Sequence, residues 1–152
     1  MPPAVSVRQA VLSDLGILTH LFDGYRQFYG RVPDLPAAES FLRARFNHGE
    51  SVVLLASAAK VPVGFTQLYP SFSSVSLGRT FILNDLFVVA SHRRTGVASE
   101  LLRAAVEHAR SLGAVRVTLN TDIHNAAAQA TYEARGWKRD REYFVYHFLP
   151  QG

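Results

Sequence analysis

The sequence contains no cysteine. Disulfides, thiolate metal sites and a cysteine nucleophile are excluded together, and such usage suits a reducing cytoplasm. Lysine is nearly missing too: of the 16 basic residues only Lys60 and Lys138 are lysine, the rest being arginine. No strictly apolar run exceeds five residues, as in Val52–Ala56, far below the ~20 that a membrane-spanning helix needs. The first eleven residues carry two prolines and an arginine but no apolar signal core, so no secretory signal is expected. The chain has no G-x-x-x-x-G-K-[ST] and no G-x-G-x-x-G, which excludes a P-loop nucleotidase and argues against a dinucleotide fold. Its histidines, at 20, 48, 92, 108, 124 and 147, show no H-E-x-x-H or comparable ligand spacing, so no metal site is expected.

What remains fits one folded unit. A length of 152 residues suits a single domain spanning 1–152, and 48% hydrophobic against 18% charged residues is the balance of a globular chain with its own core. The net charge of +4 would attract an anion or simply solvate the surface. Nucleic acid is weakly signalled, because the arginines are scattered and interleaved with acids.

The hydrophobic pattern gives alternating strands and helices. Val5–Arg8 alternates as a strand. A helix starts at Ser13-Asp14, carries Leu15, Leu18, Leu21, Phe22 and Tyr25 at helical spacing, and stops by Gly30. Ala37–Asn47 reads as a second helix ending near Gly49. Ser51–Ala58 and Val61–Tyr69 form a hairpin across Ala59-Lys60. Pro70–Gly78 reads as a serine-rich loop, and Phe81–Val89 as an apolar strand interrupted by Asn84-Asp85. Val97, Leu101, Leu102, Ala105, Ala109 and Leu112 make the strongest amphipathic stripe, closed by Gly113. A strand over Val115–Thr121, an alanine-rich helix over Asn125–Arg135 and a final strand over Tyr143–Leu149 complete the reading. It is an α/β (α+β) sheet covered by helices.

Two segments carry chemistry. Between the Phe81–Val89 strand and the amphipathic helix, Arg93, Gly96 and Ala98 stand in an R-x-x-G-x-A pattern. A strand-to-helix turn aims free backbone N–H groups and the positive end of the helix dipole at whatever lies above it. Gly96 lets a phosphate come close, and Arg93 and Arg94 add full charges. The same residues also suit an ordinary helix start. Further on, Asn125, Ala128 and Tyr132 are spaced i, i+3, i+7 on one helical face. An amide and a phenol there could bind a ligand alongside, or Tyr132 could be a half-buried aromatic with its hydroxyl on water.

The order strand, R-x-x-G-x-A turn, amphipathic helix, strand, N-x-x-A-x-x-x-Y-E-x-x-G-W resembles the GNAT superfamily of N-acetyltransferases, most strongly over Phe81–Trp137. Ile82–Val88 is especially similar to the central strand of small polyamine acetyltransferases and of the branch with small fungal histone and D-amino-acid acetyltransferases. The resemblance implies a mixed, mostly antiparallel sheet with a splayed parallel pair, Phe81–Val89 and Val115–Thr121, flanked by about four helices. It implies acetyl-CoA as cosubstrate, with its pyrophosphate on the backbone of Arg94, Thr95, Gly96, Val97 and Ala98 and its arm along Phe87, Val88 and Val89. Asn125 would hold the arm and Tyr132 would stand by the sulfur.

The chemistry implied is direct acetyl transfer to a primary amine of a small molecule or amino acid in a ternary complex. Val88 N–H would serve the oxyanion and Tyr132 would act as the acid. The base is open: where polyamine acetyltransferases have a glutamate, this chain has Asn84, and Asp85 beside it should face the other way on a regular strand unless a bulge intervenes. Asp85 is then a base, a base relay or a structural tie, or a water chain serves instead. Tyr25, Tyr29, Gln67, Tyr69, Asn84 and the Ser71–Ser76 loop are the expected acceptor wall, with Phe28 read as core. Asp34 and Glu39 are either rim acids or solvated. The alternatives are a protein or peptide acceptor, or a CoA-sensing or nucleic-acid-binding module on the same fold. A homodimer could form through the final strand if that strand is an edge. No membrane partner is expected.

Overall fold

A computed structural model of the chain describes residues 4–151, which fall into two compact units meeting after Leu119. The first unit, residues 4–119, holds strands β1 (Val5–Gln9), β2 (Val52–Ala58), β3 (Val61–Ser73), β4 (Gly78–Val88) and β5 (Arg116–Leu119) and helices α1 (Leu15–Phe28), α2 (Leu35–His48) and α3 (Val97–Ser111). The second unit holds helix α4 (Ala126–Ala134). The five strands form one sheet in chain order. Its ladders are antiparallel from β1 to β4, and β5 joins β4 in parallel. This is the mixed sheet expected from the sequence. Among the described residues no helix is long and apolar enough to cross a membrane.

Local chemistry sets the element ends. The Asp14 carboxylate accepts the Val11 N–H at 2.8 Å and takes two nitrogens of Arg8, each at 2.8 Å, so the chain turns from β1 into α1 on a buried acid. Asp34 caps α2 by accepting the Ala37 N–H at 3.1 Å, Pro36 stands in its first turn, and Gly49 closes it at φ +62°. Asp34 is therefore a cap and Glu39 a partner of Arg43 at 2.8 Å. The β2–β3 turn puts Ala59 and Lys60 at φ +50° and +67°, the mirror-image turn that a two-residue hairpin needs.

The pleat divides the sheet into two buried faces. Leu18 and Phe22 of α1 and Leu42 of α2 pack on Val53, Leu55 and Phe65. The other face carries α3, whose Leu101, Leu102 and Ala105 are buried. Gly64 lies on that face, and a Cβ there would come 3.4 Å from Leu101 Cδ1. Each fully buried leucine contributes about 1.5–3 kcal/mol relative to exposure.

Three expectations are corrected. The serine-rich stretch is mostly strand: β3 runs to Ser73 and β4 begins at Gly78, leaving a short turn with Leu77 at φ +51°. Pro70 is tolerated inside β3 because β3 outruns β2 beyond Leu68, so one side of it is an edge. The strand after α3 is shorter than Val115–Thr121. Tyr143–Leu149 forms no strand, and the second unit has none among its described residues. Apolar and aromatic side chains give strand propensity, but a strand exists only where a ladder partner exists. Pairing of two copies through that segment therefore has no strand to run through.

The acid at the first turn makes a stability test. Hydrogen bonds from Arg8 hold the Asp14 carboxyl at about 2, below its ordinary value. A depressed acid stabilises the fold above its unfolded pKa and loses that contribution as pH falls towards its folded value. Asp14→Ala should cost about 1–2 kcal/mol in urea unfolding at pH 7. The gap to wild type should close as the pH falls from about 4 towards about 2. A gap that is unchanged at low pH would remove Asp14 from this role.

Candidate active site

The centre of the first unit is a defect in β4. Gln67 pairs with Asp85, but the next β3 residue, Leu68, pairs with Leu83, so Asn84 is an extra residue. A bulge of this kind reverses which face the following residues take. Phe81 and Leu83 lie on the α3 side, Phe81 against His108 with ring centroids 5.8 Å apart. Past the bulge, Asp85 and Phe87 pair with Gln67 and Phe65 and so share the α1 face. The buried Thr66 hydroxyl donates to the Asp85 carbonyl at 2.8 Å and pins the irregular backbone.

Asp85 is only 2% exposed and both of its carboxylate oxygens are held. Gln67 Nε2 donates to Oδ2 at 2.5 Å and Asn84 Nδ2 to Oδ1 at 2.7 Å. The Tyr25 hydroxyl, from α1, donates to the Asn84 carbonyl at 3.3 Å and feels the charge of the carboxylate. Burial pushes the Asp85 carboxyl above its ordinary value, and the bonds from Asn84, Gln67 and Tyr25 oppose that rise. Burial, then the charge of Asp85, raise the Tyr69 phenol to about 12 against the pull of Arg45. The same two causes, with Tyr29 added, push the Tyr25 phenol well up. Tyr25, Gln67, Tyr69, Asn84 and Asp85 are thus brought together, and Tyr29 packs on Tyr25 at 5.1 Å.

The Ser71–Ser76 segment is not part of this cluster. It ends the β3–β4 hairpin, and from Asp85 it lies about 14 Å along the strands at Ser71 and about 20 Å at Ser73, at the usual rise per residue. Phe28 is not core. It is 64% exposed, as the last residue of α1, and its ring carries the Arg93 guanidinium at 5.2 Å. An open groove of about 570 Å³ runs here, lined by Gly24, Phe28, Phe87, Val89 and Arg93 among others. Gly24 lets α1 sit on Phe87, since a Cβ would come 3.3 Å from that ring. Neither contact has a sequence signature, because helix spacing alone does not show what the last turn of a helix meets.

The bulge also marks where β5 stops. The parallel ladder runs from Thr80↔Arg116 to Leu83↔Leu119 and ends there, so residues 85–88 of β4 keep only β3 as partner. The carbonyl of Phe87 points at β3, where it would lie 2.7 Å from a Cβ on Gly64, and Val89 N–H bonds Val63 O at 2.9 Å. By alternation Val88 turns its N–H and C=O to the open edge. Arg93 Nε donates to that carbonyl at 3.0 Å. The turn follows: Arg94 at φ +62°, then Gly96 at φ +88° as the N-cap of α3. The first turn of a 15-residue helix thus has N–H groups with no intrahelical carbonyl, on Val97, Ala98 and beyond. Thr95 Oγ1 donates to His92 O at 2.5 Å and steadies the turn.

In the second unit Asn125 caps α4, its side-chain oxygen accepting the Ala128 N–H at 3.1 Å, which leaves its Nδ2 as a donor. Tyr132 is half-buried, with its ring 6.3 Å from Trp137. Trp137 follows Gly136, which stands at φ +91°.

These features carry a family assignment. Residues 18–137 match the model of the acetyltransferase (GNAT) family. The chain belongs to the GNAT family of acetyltransferases. It is 46% identical over 142 residues to an uncharacterized N-acetyltransferase, YhfO, of Bacillus subtilis (strain 168), covering 93% of this chain and 95% of that one. The crystal structure of a probable acetyltransferase superposes with a TM-score of 0.90 at 42% identity, over 95% of this chain and 97% of that one. A ribosomal-protein-alanine N-acetyltransferase from Brucella melitensis biovar Abortus 2308 gives 0.75 at 23% identity, over 95% of this chain and all of that one, a likeness of fold.

The bulge supplies the test. Thr66→Val removes the hydroxyl that serves the buried Asp85 carbonyl and keeps the volume, so it should cost about 1–3 kcal/mol in urea unfolding. An unchanged midpoint would mean that the carbonyl needs no such donor.

Proposed function

We propose that this acetyltransferase moves the acetyl group of acetyl-CoA directly to a primary amine of a small molecule or amino acid, in a ternary complex. The observation that supports this most is the half-strand of β4 beyond Leu83, which has an open edge on one side and the Asp85 cluster on the α1 face. A thioester arm laid along Phe87, Val88 and Val89 would pair with that edge as an added strand. Its pyrophosphate would meet the N–H groups of Arg94 to Ala98 and the charge of Arg93. By the family resemblance, Asn125 would hold the arm.

The chemistry follows from charge. A lysine-like amine has a pKa of about 10.4 and arrives protonated at neutral pH. A base removes that proton, and Asp85 is the acid at hand, its raised pKa suited to the task. The Val88 N–H receives the negative charge that grows on the thioester oxygen. Tyr132 protonates the leaving thiolate. With no cysteine in the chain, no acetyl-cysteine is formed on the way. Tyr25, Tyr29, Gln67, Tyr69 and Asn84 form the wall against the acceptor, and an aromatic cleft with one acid suits a small ammonium ion. The open groove beside Phe28 favours a second reading, a peptide or protein N-terminus as acceptor.

Release of free CoA thiol from acetyl-CoA, with polyamines, amino acids, aminoglycosides and short peptides as acceptors, tests the proposal. Turnover with small amines and not with peptides is expected; preference for peptides would select the second reading. Tyr132→Phe should lower kcat by roughly 100-fold while acetyl-CoA affinity stays within calorimetric error. Unchanged kcat would remove Tyr132 as the acid. Failure to bind acetyl-CoA at all would sink the proposal, whereas binding without turnover on any acceptor would point to a CoA sensor.

A further inference from the structure

Asp85 has the position of a base but not the access. It is 2% exposed, and its two oxygens face Gln67 and Asn84. An acceptor amine cannot touch it without dismantling that cage. The half-buried Tyr25 hydroxyl bridges the gap: it gives its proton at 3.3 Å to the carbonyl of Asn84, whose own amide holds Asp85 Oδ1 at 2.7 Å, it feels the charge of that carboxylate, and it belongs to a side chain that still meets solvent. A hydroxyl hydrogen turns about its C–O bond without moving heavy atoms. The same Oη can therefore pass its hydrogen from the Asn84 carbonyl to Asp85 while its lone pair accepts from the open side.

We propose that Tyr25 is the group that takes the proton from the acceptor ammonium, relaying it to the caged Asp85, so that Tyr25 is a catalytic residue and Asp85 acts only through it. This rests on the acetyl-transfer reading above. In the step, one N–H bond of the ammonium breaks and a new O–H bond forms on Tyr25 Oη. The original hydroxyl proton goes to Asp85, and the freed nitrogen pair attacks the acetyl carbon; the C–S bond then breaks, the thiolate takes up a proton and the nitrogen gives up its second one, so that ammonium and thioester become amide, thiol and the one proton held on Asp85. After product leaves, Asp85 returns its proton to solvent by the same route.

The cage suits both states of the acid. Gln67 offers Nε2 to the carboxylate. Its Oε1 is buried without a partner, and with the amide turned it would accept from a protonated Asp85. The other groups around the acid are Tyr25 and Tyr29 from α1, Arg45 from α2, acting on Tyr69, and Tyr69 itself from β3. None is a carboxylate that could replace Asp85.

Tyr25→Phe is the decisive variant, since it keeps the ring packing on Phe65 at 5.9 Å and on Phe87 at 6.3 Å. With the best amine of the acceptor panel, kcat at about pH 7 should fall roughly 100-fold. The deficit should shrink as the pH rises towards the amine pKa of about 10.4, where solvent takes the proton. Acetyl-CoA binding should not change. Asp85→Asn should show the same loss, and the double variant should be no slower than either single one. A Tyr25→Phe rate within about threefold of wild type at pH 7 would overturn the relay, as would a loss that does not vary with pH or losses that add in the double variant. Wild-type chain that acetylates no amine would instead overturn the acetyl-transfer reading, and the relay with it.

Discussion

One extra residue organises the first unit. Asn84 interrupts the register of β4 against β3, and two consequences follow from it. The residues beyond it change faces, which takes Asp85 out of the α3 side and sets it among Tyr25, Gln67 and Tyr69. The parallel partner is lost at the same point, since β5 pairs only as far as Leu83. Had β4 stayed regular, Asp85 would follow Leu83 towards α3, and the acid would sit in an apolar layer with no donors. A buried carboxylate without partners is too costly to keep ionised, so the bulge and the amide cage belong to one solution.

Much of the fold was legible from periodicity and punctuation. The α3 stripe, the Gly49 and Gly113 stops and the Ala59-Lys60 hairpin each rest on local chemistry, and local chemistry is what a sequence displays. The R-x-x-G-x-A turn belongs with them, because a glycine at φ +88° ahead of an amphipathic helix is a backbone requirement. Two readings went astray for a common reason. Pro70–Ser73 has loop composition but is drawn into the β3–β4 ladder by its partner strand. Tyr143–Leu149 has strand composition but no ladder in its own unit. In both cases pairing, a non-local property, overrode the local preference.

The acid cluster was half legible. Each of its members could be named from the sequence, but the face that Asp85 takes could not, because a single insertion in a ladder shows only when both strands are aligned. Phe28 failed similarly. Its spacing from Leu21 and Tyr25 continues the buried stripe of α1, and spacing alone does not show that the stripe has run out by the last residue of the helix. The arginine-rich composition now has some local meaning. Arg8 holds Asp14, Arg93 lies over the Phe28 and Phe87 rings at 5.2 and 5.8 Å, and planar guanidinium groups suit both tasks better than an ammonium does.

The bond between Arg93 and the Val88 carbonyl has a consequence for solubility. A strand with unpaired backbone groups along one side is a template for strands of other molecules. Where β4 runs past its parallel partner it offers such a stretch, only residues 85–88 long, and a cationic side chain already sits on the outward carbonyl of Val88. The charge repels a second copy of this basic chain, and the short length leaves little ladder to gain. The edge proposed for a ligand is thereby a poor template for a strand of another chain.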